Sequence, residues 1–241
     1  MPSDMLLAWG PYSAALVCFM LTHFLPRVGD LRGRLIMRLG RGPYFAIYGV
    51  VSVLMTVWLL VATANAPYVE LWPYAAWQKW VPFVAMPFVF VLTAIGVGVE
   101  TPYTLAGRRD APTSEAQFGR AAISRHPVLL ALTLWAAAHL CANGDLAHGL
   151  IFAMSVTLAL GAMVLFDRAA SSQLAQNDGT AAPRRFFAQA PILSLRPLLS
   201  PSWRQKNGKS MAYRAAIGLL LWLVAVSMHE RILGVSPLPH W

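Results

Sequence analysis

Histidine is the residue type through which this chain could do chemistry. Six occur, at His23, His126, His139, His148, His229 and His240. His23 and His139 fall inside apolar runs, where an ionisable side chain is costly unless something pairs with it or ligates through it. The stretch RHPVLLALTLWAAAHLCANGD, from Arg125 to Asp145, holds two of the six. On a helix, Trp135, His139 and Asn143 recur at i, i+4 and i+8 and share one stripe. Ala136, Ala137 and Ala138 leave room beside it for a second helix or a flat ligand. Two neutral imidazoles on different helices suit the iron of a haem, since membrane bundles hold such groups between facing helices. A histidine bonded to a serine or a backbone carbonyl is the competing way to settle each ring. His126 precedes Pro127, which suits a first helical turn, so it reads either as a helix start or as a contact to an anionic head group or cofactor. Asn143 and Asp145 are secondary candidates at the far mouth of the helix. His148 and His229 read as solvated residues near helix ends, and His240 as part of the tail.

Other chemistry is scarce. There is no Walker A, GxSxG or HExxH motif and no pair of carboxylates inside an apolar run. Glu100, Asp145 and Asp167 each stand at the end of an apolar run and read as solvated. Cys18 and Cys141 lack any metal-like spacing and read as small buried hydrophobes.

These residues must be positioned by membrane helices. Of 241 residues, 57% are hydrophobic and 12% charged, about half the charged share of a soluble domain. The expected fold is all-α, a single polytopic membrane domain over 1–241. Its six spans are placed at about 5–26, 44–64, 81–99, 126–142, 146–166 and 212–229, each near the ~20 residues that cross a bilayer. The fourth is short, and AQFGRAAIS before it would extend it into the interface. Lys and Arg divide 17 against 2 between alternate sides of these runs. By the positive-inside rule, segments 27–43, 100–125 and 167–211 are cytoplasmic and both termini periplasmic. The net charge of +9 therefore reports contact with an anionic bilayer rather than with nucleic acid, for which no recognised module is present. The N-terminal apolar run lacks a basic flank and a cleavage site, and reads as a retained helix.

Finer expectations concern single elements. Gly10, Ala14, Cys18 and Thr22 recur every four residues as a packing face. Trp72, Tyr74, Trp77 and Trp80 form an interfacial aromatic belt, and Pro87 should kink its helix. Asn143–Gly144–Asp145 makes a tight turn in which Gly144 is able to take positive φ. Segment 167–211 reads as surface-lying amphipathic chain with a basic anchor. By helical rise, His139 lies roughly 20 Å beyond His126, while His23 is only about 6 Å from Arg27. If Arg27 and His126 mark one surface, the two deep histidines differ in depth by around 12–14 Å.

Several blocks together resemble the NnrU family of bacterial membrane proteins. They are LTHFLPRVGDLRGRL, GPYFAIYGVVSV, ELWP, RHPVLLALTLWAAAHLCANGD and the FDR at Phe166–Asp167–Arg168. The resemblance covers most of 5–168 and is weaker in the C-terminal third. It implies a bacterial inner-membrane protein tied to denitrification, acting on the expression or function of nitrite and nitric oxide reductases. The family is similar to the 15-cis-zeta-carotene isomerases, which hold b-type haem through histidines. That likeness implies haem b with His23 and His139 as ligands and His126 as a further cofactor contact. Ala136 stands where the isomerase pattern has a cysteine. If the chain is an enzyme, the implied activity is haem-dependent cis–trans isomerisation, with the iron as electron-rich partner to a polyene double bond. The implied partners are the lipid bilayer, a hydrophobic polyene or respiratory-chain components. RHP also opens a cofactor motif in membrane methyltransferases and sterol-type reductases, but segment 167–211 lacks the glutamates that motif needs.

Overall fold

The computed structural model describes residues 7–108 and 118–239. The described residues are helical, with one isolated bridge between Glu70 and Asp145 and no extended strand. The helices are α1 (Gly10–Phe24), α2 (Leu31–Leu39), α3 (Arg41–Ala64), α4 (Trp80–Gly96), α5 (Pro127–Ala142), α6 (Leu146–Asp178), α7 (Ala182–Gln189), α8 (Arg196–Leu199) and α9 (Pro201–Leu233). Each of the six expected apolar runs forms a helix. Four are long and apolar enough to cross a bilayer: α3, α4 with its preceding 3-10 turn, α6 and α9. A fifth arises if α1 and the segment to Leu39, bent by 71°, count as one span. The remaining run, α5, has 16 residues, about 24 Å of rise.

The chain forms two compact units. The first holds Met1–Trp72 with Asp145–His148. Here α1 packs on α3, and the Tyr12 hydroxyl donates to the Ala147 carbonyl at 3.0 Å. The buried face of α1 carries Tyr12 and Ala15, not the expected Gly10 and Ala14, which are exposed. Tyr12 supplies both bulk and a bonded hydroxyl, which a stripe of small residues cannot. After α1 the chain turns through Pro26 and Gly29 into α2, whose arginines face outward. The Arg32 and Arg41 guanidiniums lie over the Phe45 ring at 5.3 and 5.6 Å. On α3, Ile47, Val50, Leu54, Val57 and Val61 are all more than half exposed and form one stripe. Water rejects so continuous an apolar surface, whereas lipid accepts it.

The second unit holds Pro73–Gly144 and Gly149–Trp241. Its centre is α4, against which both α5 and α9 pack. Two of the alanines beside the expected stripe, Ala136 and Ala138, are buried. Pro127 caps the first turn of α5 as expected, but the helix begins there. Gly119–Ala122, which had been expected to lengthen it, is a separate 3-10 turn, because Arg120 is drawn aside by other partners described below. Pro87 lies inside α4. Gly144 is not among the glycines with positive φ; the chain leaves α5 through an extended Asn143 instead. Segment 167–211 is more regular than a surface-lying chain. α6 runs on to Asp178 and α9 begins at Pro201, so much of the segment continues membrane helices. Only α7 and α8 stand apart, and α7 buries Pro183 and Phe186 while exposing Arg184 and Arg185.

Candidate functional site

Three histidines, one in the first unit and two in the second, have distinct environments. On α5 the expected stripe forms. The Trp135 and His139 rings lie 5.3 Å apart, and the Asn143 amide donates to the His139 carbonyl at 2.7 Å. The His139 Nδ1–H donates to the Trp135 carbonyl one turn back, at 2.8 Å. That bond selects the Nδ1–H tautomer, so Nε2 carries the lone pair. Phe152 of α6 lies 5.4 Å from both the His139 and the Trp135 rings, so the three rings form one cluster. A neutral imidazole whose orientation is set by a carbonyl behind it is the form in which histidine ligates iron.

His23, in the first unit, repeats this arrangement. Its Nδ1 bonds the Phe19 carbonyl at 2.8 Å, the same i−4 acceptor, and its ring lies 4.2 Å from Phe19 and 6.3 Å from Tyr48. In both residues the Nδ1 nitrogen is the one bonded to the carbonyl one turn back.

His126 differs. It is fully buried at the N-cap of α5, with Nδ1 2.9 Å from the Thr104 hydroxyl and Nε2 3.0 Å from Asp167 Oδ1. With Nε2–H donating to the carboxylate, Nδ1 accepts the threonine proton. Both ring nitrogens are thus engaged, and a ligand role would require breaking one bond. Arg125 meets the same carboxylate with two parallel bonds, Nε to Oδ1 at 2.8 Å and Nη2 to Oδ2 at 2.7 Å. Its third donor reaches the Ala190 carbonyl at 3.0 Å. The RHP block and the FDR block, 41 residues apart, are two halves of one buried polar cluster.

A second such cluster was not visible in the sequence. Arg120, 7% exposed, pairs with Glu100 at 2.8 Å and donates to the Ile95 and Val97 carbonyls at 2.8 and 3.2 Å. From α9, Arg214 donates to the Ala94 and Val97 carbonyls at 2.9 and 3.0 Å. Two arginines therefore cap the C-terminal end of α4, where unpaired carbonyls carry partial negative charge. The three carboxylates expected to be solvated are all partnered: Glu100 with Arg120, Asp167 with Arg125 and His126, and Asp145 with His148 at 2.8 Å. His229, also expected to be solvated, bonds the Val235 carbonyl at 2.7 Å, and His240 lies outside the described residues. Among the described residues, no group of three or more His, Cys, Asp or Glu is arranged to hold a metal ion.

The model of the NnrU protein family matches residues 12–237. The chain belongs to the NnrU family. The match extends through the C-terminal third, where the sequence resemblance was weaker, so α7 to α9 are part of the family's fold. No curated protein and no solved structure gives a significant match.

Proposed function

We propose that this NnrU protein is a b-haem-binding protein of the bacterial inner membrane that serves denitrification, with His139 and His23 as iron ligands. The observation that carries the reading is the shared Nδ1–H bond to the i−4 carbonyl, 2.8 Å in both residues, which presents Nε2 as the ligating atom. When bound, haem would supply a redox-active iron whose potential is set by its axial ligands and by the dryness of its surroundings. The chain's own part is to orient the imidazoles, keep them neutral and exclude water. Trp135 and Phe152 do this around His139, and Phe19 and Tyr48 around His23. Arg125, His126 and Asp167 act at a distance, fixing the start of α5 against α6 and so the height at which His139 is presented.

Haem-dependent isomerisation of a polyene such as 15-cis-zeta-carotene is the second reading. It rests on the likeness of the family to the carotene isomerases, and Ala136 leaves it without the cysteine of that pattern.

Protein purified in detergent after expression with ample haem should show a Soret band and low-spin b-type bands on reduction. His139→Ala and His23→Ala should each abolish or shift that spectrum. Asp167→Asn should leave bands of altered intensity at the same positions. Colourless protein would sink the cofactor reading, and loss of the spectrum in His126→Ala with retention in His139→Ala would move the ligand to the α5 N-cap.

A further inference from the structure

A shallow groove of about 310 Å³ opens on the second unit beside the Arg125–Asp167 pair, lined by Arg125, Val164, Asp167, Arg168, Ser171 and Phe187. Val164, Arg168 and Ser171 are spaced i, i+4 and i+7, so they form one stripe along α6. That stripe changes character along its length from an apolar side chain through a guanidinium to a hydroxyl. Val164 and its neighbour Leu165 are 49% and 59% exposed, at the end of the apolar run. Phe187 of α7 also lines the groove, with the Arg125 guanidinium 5.0 Å from its ring. The Asp167 carboxylate is already taken by Arg125 and His126. Among the described residues nothing accepts from the exposed Arg168, and Arg184 and Arg185 are exposed on the same short helix as Phe187. The groove thus joins an apolar lip to the unneutralised guanidinium of Arg168.

We propose that this groove binds the phosphate headgroup of an anionic membrane lipid. Arg168 and the Ser171 hydroxyl contact the phosphate, and the first acyl carbons lie against Val164 and Phe187. Arginine suits the role because its planar fork matches phosphate oxygens. The apolar lip favours a lipid over free phosphate, because soluble phosphate gains nothing from Val164 or Leu165. The site needs no haem, so its test stands apart from the spectrum.

Full-length protein in neutral detergent is titrated with phosphatidylglycerol, phosphatidylcholine or inorganic phosphate, and bound lipid is read by native mass spectrometry. Phosphatidylglycerol should be retained in preference to phosphatidylcholine. Arg168→Gln should weaken its binding roughly fivefold, the scale of one basic side chain at an anionic surface. Arg168→Lys should keep most of the binding, and Arg231→Gln, at the far end of α9, should change nothing. Equal retention of the two lipids, or undiminished phosphatidylglycerol binding by Arg168→Gln with unchanged circular dichroism, overturns the proposal. Displacement of the lipid by inorganic phosphate with the same dependence on Arg168 would assign the groove to a soluble anion and also overturn it.

Discussion

At the scale of single residues, Glu100, Asp145 and Asp167 are each held by a basic partner. Asp167 accepts from Arg125 and His126 while retaining 26% exposure. Removing one partner of a buried pair leaves the other uncompensated, at a cost of about 3–5 kcal/mol when both are fully buried. For the partly exposed Asp167, Asp167→Asn should cost about 2–4 kcal/mol, read as a lowered thermal midpoint in detergent. Arg120→Ala should destabilise at least as much, because it strands Glu100 and the carbonyls at the end of α4. The Trp135–His139–Asn143 stripe was legible in the sequence because helical spacing alone fixes it. The carboxylate partners were not. Glu100 and Arg120 stand 20 residues apart, and Arg125 and Asp167 stand 42 apart, distances over which one sequence carries no pairing signal. The i−4 bond of each of these histidines was open to inference, since a serine or a backbone carbonyl is what settles a buried imidazole.

At the scale of elements, hydropathy located all six apolar helices but misjudged their ends. It marks where a chain stops favouring lipid, not where it stops being helical. The stretch RAASSQLAQND after Asp167 is polar, yet it holds enough alanine, leucine and glutamine to continue α6. The packing face of α1 was misassigned for a related reason: small residues permit close approach but do not require it. Where close approach is required, the structure shows it on α9. A Cβ on Gly218 would stand 2.8 Å from the Phe90 carbonyl oxygen on α4, and backbone cannot swing away. Gly218→Ala should therefore push α9 off α4 and cost about 1–3 kcal/mol. Gly161→Ala on α6, where nothing lies within 4 Å, should be neutral or stabilising by up to ~1 kcal/mol. Thermal unfolding of the two variants side by side checks the contrast, and equal midpoints would refute it.

At the scale of the whole molecule, the distribution of positive charge makes the strongest topological statement. With 17 of 19 basic residues on one side of the expected spans, reporter fusions after Leu35, Glu115 and Ala190 should read cytoplasmic. Fusions after Ala75 and at the C-terminus should read periplasmic. The C-terminal result also tests the span count, since an even number returns the chain to its starting side. α5 is the critical element. Its 16 residues give about 24 Å of rise against a hydrocarbon core of ~30 Å. A cytoplasmic C-terminus would mean that one expected crossing, most simply this one, does not reach the other face.

The double arginine cap on α4 has a consequence for how the protein is made. Arg214 lies 120 residues after the Ala94 carbonyl to which it donates, so a ribosome must add half the chain before that bond can form. From the addition of Arg120 until Arg214 arrives, the end of α4 is served by Arg120 alone, and the flank that α9 will cover stays open to lipid. An insertion intermediate halted before α9 is thus a helix bundle with an unfinished seam. Proteases that patrol the membrane would meet it in that state, and release of the last helix from the translocon, rather than insertion of the first, would end its exposure to them.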